Sequence, residues 1–419
     1  MAKLDISKPL AFTPYQKLVV AILAFLQFTI IFDFMIISPL GAILMPALKI
    51  TPAQFGFAVS VYAFSAGASG LIAAGFADRF DRKKFLLFFY VGFLIGTLLC
   101  GFAKTYDALL FARMITGVFG GVIGSVVFAI TTDLFAFEQR GRVMGFIQSA
   151  FATSQILGLP AGLYLANVFN WHAPFYLIVV IGTLAGVVIS FKLKPVTAHL
   201  TSSKQAAQTA LHHLTTTFKN RRYLFAFAAT ALLSVGGFML MPFGSAFTVH
   251  NLGIPIERLP LIYLITGLCA MFTGPLVGRA ADRFGKFNTL LFGAAVSIVM
   301  VLVYTNLGPT PLPLVILVNA VMFVGIFSRM IPSQALMSAI PTIDTRGSFM
   351  SVSSSLQQIS GGLASVVAGY VVTEGTDGHI EHFPILGYIL VATTLITTFQ
   401  MYYIHKRYVT EPNKRSLAS

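Results

Sequence analysis

Twelve apolar stretches, each long enough to cross a bilayer, leave this chain few ways to fold. They fall at roughly 18–44, 54–77, 84–103, 106–132, 143–168, 173–192, 223–249, 259–281, 287–306, 312–340, 349–373 and 384–404. A spanning helix needs ~20 mostly apolar residues. Backbone polar groups cannot go unpaired in hydrocarbon and open strand edges do not survive there, so the stretches read as helices. Hydrophobic residues make up 56% of the 419 and charged residues 10%. A soluble domain carries about a quarter charged residues, so a water-facing surface of ordinary size cannot be built. The expected fold is an all-α membrane protein. The first run is too long for a signal-peptide core and is read as the first span. With 40 Phe and a single Trp, Trp171, the interfacial belts must rest on Tyr and Phe. Cys100 and Cys269 both sit in apolar runs, as packing residues do, and no disulfide framework is expected.

Lys and Arg set the orientation. With both termini inside, the inner side holds Lys3, Lys8, Lys17, Arg79, Arg82, Lys83, Lys84, Arg140, Arg142, the charges from Lys192 to Arg222, Arg283, Lys286, Arg346 and the tail from Lys406 to Arg415. The outer side keeps Lys49, Lys104 and Arg258. This asymmetry is what insertion selects. It accounts for most of the net charge of +14, and no nucleic-acid partner is needed to explain it. The polar, basic stretch 195–222 reads as a linker between halves, either a tether or a regulatory segment. Ala206, Leu211, Leu214 and Phe218 recur there at near-helical spacing, as in a short interfacial helix. An outer loop carries Glu374, Asp377, His379, Glu381 and His382. Its spacing is loose for a metal site, and it reads rather as a solvated loop.

The tetrapeptide Ala-Asp-Arg-Phe occurs at Ala77–Phe80 and again at Ala281–Phe284, with Asp78 and Asp282 204 residues apart. A repeat of half the chain in a hydrophobic protein points to two similar bundles, the usual basis of a solute carrier. The flanking residues, Asp78-Arg79-Phe-Asp81-Arg82-Lys83-Lys84 and Gly278-Arg-Ala-Ala-Asp282-Arg283-Phe-Gly285-Lys286, resemble the cytoplasmic loop motif of the major facilitator superfamily. The second copy keeps both family glycines, while Ala74 and Asp81 replace them in the first. Arg113-Met-Ile-Thr-Gly117, running on to Gly120, Gly121 and Gly124, resembles the family's fourth-helix pattern. Gly158-Leu-Pro160-Ala-Gly162 is similar to the fifth-helix stretch of its drug and metabolite antiporters, without the Gly pair after the proline.

The resemblance implies twelve helices in two pseudo-symmetric six-helix bundles, at 1–194 and 223–419, joined by the 195–222 linker. It is closest to the proton-coupled antiporters, and implies a bacterial inner-membrane protein, monomeric and without cofactor, moving small molecules and protons by alternating access. It also implies that loop contacts among Asp78, Arg79, Arg82, Asp133, Asp282 and Arg283 latch the halves on the cytoplasmic side. Asp78 would face the positive end of a neighbouring helix, and Arg82 would pair with Asp133.

Three charges lie where lipid makes them expensive. Asp33 is the one acid deep within a span, at a cost of ~2.5–3.5 kcal/mol on insertion scales. It reads as a proton carrier, or else as an acid that bonds a neighbouring helix. Helix rise places it ~22 Å along its span from Leu18, and Arg113 ~10 Å below the outer end of its own. Both fall in the outer half of a ~30 Å core, which makes Arg113 the expected partner. Burial favours the neutral acid and a guanidinium favours the carboxylate, so a carboxylate moving between those settings takes up and releases a proton. Arg329, near the middle of span ten, shares the tripeptide Arg-Met-Ile with Arg113, but the 204- to 206-residue offsets set Arg113 opposite Leu317 to Asn319. Arg329 is expected to meet substrate or a mobile carboxylate, with a packing role as the alternative. Gln148, Gln155, Asn319, Gln334, Gln357 and Gln358 are candidate cavity residues or helix glue; Gln155, Asn319, Gln357 and Gln358 join Arg329 as the expected substrate contacts.

The expected function is proton-coupled efflux of small hydrophobic or amphiphilic molecules. Transport of a lysolipid-like amphiphile and proton-coupled uptake of an organic anion are the alternatives. No His-Glu-x-x-His, paired catalytic aspartates or nucleotide loop is present, so an enzyme is not expected.

Overall fold

A computed structural model describes residues 12–74, 76–197, 200, 221–338, 340–341, 346–375 and 378–407. Lys3, Lys8, the positions from Ala206 to Phe218, Asp377, the tail beyond Arg407 and the side chains of Asp78 and Arg346 lie outside the described residues.

The first half contains α1 (Pro14–Ile36), α2 (Gly41–Leu48), α3 (Pro52–Ala74), α4 (Arg82–Phe102), α5 (Tyr106–Leu134), α6 (Phe137–Thr153), α7 (Leu159–Val168) and α8 (Ala173–Lys192). The second contains α9 (Arg221–Leu240), α10 (Gly244–His250), α11 (Leu259–Phe284), α12 (Lys286–Thr305), α13 (Leu312–Met337), α14 (Arg346–Val371) and α15 (Phe383–His405). A two-residue antiparallel hairpin, Thr373–Glu374 against Ile380–Glu381, lies between α14 and α15. Three pairs continue one another: α1 into α2, α6 into α7 and α9 into α10. Among the described residues the chain therefore forms twelve rods. Ten are long and apolar enough to cross a membrane by length and composition. The other two, α6–α7 and α14, carry the Gln- and Ser-rich stretches, and both pack against the opposite half.

The breaks within the first and seventh spans depart from the uninterrupted helices expected. Each falls at a proline, Pro39 and Pro242, in a turn just before the short helix. Proline removes a backbone donor and clashes with the preceding turn. The breaks lie about one repeat apart and meet each other in space. Ser245 donates to the Ser38 carbonyl at 3.1 Å, and the Phe55 and Phe243 rings meet edge-on at 6.0 Å.

Small residues set the seams between halves, as they do where membrane helices pack closely. Ser60 on α3 donates to the Gly362 carbonyl on α14 at 2.7 Å. A Cβ at Gly56 would lie 2.5 Å from the Ser365 carbonyl oxygen. On the other seam, Gly267 of α11 lies against the Gln155 backbone, and Asn167 donates to the Ile256 carbonyl at 3.2 Å.

Buried apolar side chains form three clusters. One, toward the end away from the loop repeat, draws on both halves, from Phe32, Phe55 and Trp171 to Phe243, Tyr304 and Phe383. Toward the loop-repeat end the core divides. One cluster belongs to the first half, from Val19 to Leu193, and the other to the second, from Tyr223 to Ile404. Gly124 and Gly145 of the first half and Gly274 and Gly278 of the second face open space near that end.

Candidate functional site

Three glycines assemble the Asp33 site. Gly117 and Gly121 of α5 pack on α3, where a Cβ would come within 2.5 Å of the Tyr62 and 2.4 Å of the Ala66 carbonyl oxygens. Gly96 of α4 packs on the α5 backbone at Thr116. Tyr62, Thr97 and Arg113 thereby converge on Asp33. Gly158 and Gly162 receive the Phe32 ring from the other side, fixing the rotation of α1.

Arg113 Nη1 donates to Asp33 Oδ2 at 2.9 Å, and both side chains are 0% exposed. Thr97 Oγ1 donates to Asp33 Oδ1 at 3.1 Å. The Arg113 guanidinium sits 4.6 Å over the Tyr62 ring, a cation–π contact that adds to the pair. Among the described residues Arg113 Nε and Nη2 have no hydrogen-bond partner. Protonating Asp33 would leave that guanidinium without its counter-charge, at a cost of about 3–5 kcal/mol for a broken buried pair. Neutralising Asp33 would therefore require a rearrangement that supplies Arg113 with water or another anion. Thr97 and Tyr62 carry no signal in the sequence, since each is one hydroxyl residue in a span. Thr29, the polar neighbour in sequence, instead reaches Tyr90, at 3.2 Å.

Arg329 is 5% exposed and lies between α9, α13 and α15. Its Nη1 donates to Thr394 Oγ1, its Nε has no partner, and Gly236 leaves the space its Nη2 fills. Among the described residues no carboxylate pairs with it. The structure does not bring the remaining polar candidates to Arg329. Asn319 bonds its own helix at the Val315 carbonyl, 2.9 Å away. Gln155 is 3% exposed, with Oε1 unpartnered. Gln357 and Gln358 are half-buried, and Gln148 and Gln334 are exposed. Gln155 lies in a π-helical turn, Ser154–Gly158, between α6 and α7. Such a turn widens the ladder just ahead of Pro160, which begins α7.

At the loop end, Arg82 Nε lies 3.2 Å from Asp133 Oδ2, so the pair is confined to the first half. Asp81 replaces a family glycine because it caps α4. Its Oδ1 accepts from the Lys83 N–H at 2.8 Å and from the Val196 N–H at 3.1 Å. Gly285, its counterpart in the repeat, has φ +93°, a conformation that glycine alone adopts easily. Arg79, Asp282 and Arg283 are exposed. Among the described residues no cluster of three or more His, Cys, Asp or Glu could hold a metal; Asp377, a member of the 374–382 group, lies outside them.

Residues 23–365 match the model of the Major Facilitator Superfamily. The chain belongs to that superfamily. A Bacillus subtilis (strain 168) protein, the uncharacterized MFS-type transporter YceJ, is 26% identical over 82% of this chain and 87% of its own. Multidrug resistance protein 2 of the same organism is 24% identical over 65% of this chain and 68% of its own. Among solved structures, the nucleoside transporter NupG superposes with a TM-score of 0.74 at 17% identity, covering 93% of this chain and 99% of that one. A D-xylose–proton symporter gives a TM-score of 0.74 at 16% identity, over 91% and 97%. These structures share the superfamily fold, two bundles of membrane helices. Members of the superfamily move small-molecule substrates across membranes, and this protein is a multi-pass membrane transporter.

Proposed function

We propose that the protein is a proton-coupled exporter of small hydrophobic or amphiphilic molecules. In this reading it acts as a monomer in a bacterial cytoplasmic membrane, with both termini cytoplasmic. The observation that carries the reading is the Asp33–Arg113 pair, sealed from solvent in the outer part of the first half. A carboxylate held only by Arg113 and Thr97 exchanges its proton when the halves move and water reaches it. The relatives named as multidrug resistance proteins support a drug-like substrate and an outward direction. The division of the core into two at the basic end supports a state open to the cytoplasm, where substrate would enter.

Arg329 serves in this scheme as the fixed cation of the second half, reached by an anionic or zwitterionic group of the substrate, with Gln155, Asn319, Gln357 and Gln358 around the path. Arg82 and Asp133 hold the first-half loop, and Asp78, Arg79, Asp282 and Arg283 complete the latch when the halves close.

The test is transport into inverted vesicles carrying the full-length protein. Asp33→Asn is expected to abolish uptake driven by a pH gradient while leaving substrate binding and counterflow intact. Uptake that persists under a pH gradient would overturn proton coupling at Asp33.

A further inference from the structure

Two stripes of exposed residues face each other on the outside of the first half. On α1, Lys17, Ala21 and Phe25 recur every fourth residue, and on α8 Leu184, Val188 and Lys192 do the same. That spacing keeps each stripe on one helix face. Between them runs a groove of about 400 Å³, lined from Leu18 to Phe25 and from Ile181 to Val188 by apolar side chains alone. Because the helices are antiparallel, both stripes carry their lysine at the same end, the basic one.

The mouth is built as well as charged. Lys194 donates its backbone N–H to the Tyr15 hydroxyl at 3.0 Å, and its ammonium lies 5.2 Å from the Tyr15 ring centre. The end of α8 is thus tied to the start of α1. Lys83 donates to the Ser190 carbonyl at 2.8 Å, adding a further cation to the last turns of α8. Among the described residues neither the Lys17 nor the Lys192 ammonium has a hydrogen-bond or ion-pair partner.

We propose that this groove is a binding site for an anionic phospholipid. One acyl chain lies between Ala21, Phe25, Leu184 and Val188, and the phosphate sits between Lys17 and Lys192. The dimensions agree: Lys17 to Phe25 spans about 12 Å of helix, within the ~15 Å that one leaflet contributes to the core. Basic pockets between spans at the cytoplasmic surface recognise anionic headgroups by this combination of hydrocarbon contact and charge.

The test titrates phosphatidylglycerol and phosphatidylcholine into the full-length protein in detergent and counts retained lipids by native mass spectrometry. Phosphatidylglycerol is expected to bind at least tenfold more tightly. The double variant Lys17→Gln, Lys192→Gln is expected to weaken it about 25-fold, from roughly a fivefold contribution per lysine. Ala21→Phe, which fills the groove and keeps every cation, is expected to weaken it at least tenfold. Leu184→Trp does the same from α8 should Ala21→Phe fail to fold. Equal binding of phosphatidylcholine would make the groove an unselective hydrocarbon seam and overturn the proposal. Phosphatidylglycerol binding that survives groove filling would reduce it to surface charge and overturn it too.

Discussion

Among the described residues three guanidiniums are buried; Arg82, at the loop end, and Arg113 have a carboxylate, while Arg329 has none. Arg113 is held by Asp33 and Arg329 by a single neutral hydroxyl, that of Thr394. The difference leads to distinct expectations. Thr97→Val keeps the volume of the side chain but leaves Asp33 Oδ1 unbonded, and is expected to destabilise the protein by about 1–3 kcal/mol, read as a lowered thermal midpoint. Arg329→Ala is expected to weaken binding of an anionic or zwitterionic substrate tenfold or more in a counterflow assay. Unchanged affinity with a lowered midpoint would assign Arg329 to packing against α15. At this scale the buried charges were legible, because lipid makes each one conspicuous in an apolar run. Arg113 was legible as the partner of Asp33, but the hydroxyl partners were not, since Thr97, Tyr62 and Thr394 are like many other residues in these spans. What selects Thr97 and Tyr62 is the closeness of α3, α4 and α5 at Gly96, Gly117 and Gly121.

The same loop is built two ways in the two halves. After α3 the chain enters α4 through Asp81, a side-chain cap at φ −55°. After α11 it enters α12 through Gly285 at φ +93°. Asp81→Ala is expected to cost about 1 kcal/mol through the lost cap, and Asp81→Gly only a few tenths. Gly285→Ala is expected to cost more than about 1 kcal/mol from backbone strain. Thermal unfolding of the three variants separates these outcomes, and equal costs at Gly285 and Asp81 would contradict the geometry. The order of the spans was readable because a bilayer turns every long apolar run into a helix. The breaks at Pro39 and Pro242, and the π turn before Pro160, were harder to foresee. A proline inside an apolar run can kink, break or widen a helix, and the neighbouring rods decide which. Close helix contact also has a test here. A Cβ at Gly293 would fall 2.4 Å from the Ser328 carbonyl carbon, so Gly293→Val is expected to force α12 from α13 and abolish folded protein in size-exclusion chromatography.

Over the whole molecule, closure at one end and division at the other make a prediction about access. Cysteines placed at Gly145 and Gly274, where an added side chain meets nothing within 4 Å, are expected to react with a membrane-impermeant thiol reagent supplied from the basic side. Cys100, 0% exposed in the shared cluster, is expected to stay unmodified. Labelling at Gly145 and Gly274 only from the opposite side would invert the assigned orientation. The halves and their repeat were visible in the sequence through Asp78 and Asp282, but not this asymmetry of ends, which depends on contacts made across some 200 residues. Those contacts bear on how the chain comes to be folded. The buried members of the two clusters at the basic end come from one half each, with Leu71 of the first half packed against the second-half cluster, so most of each is expected to condense once its own six spans are in the membrane. The shared cluster must wait for the last span, because Phe383 and Leu390 belong to it. Biogenesis is then expected to run in two stages, local assembly of each half followed by a late docking of the ends that carry the shared cluster. Separately synthesised halves, divided between Val196 and Arg221, are expected to find each other and recover transport.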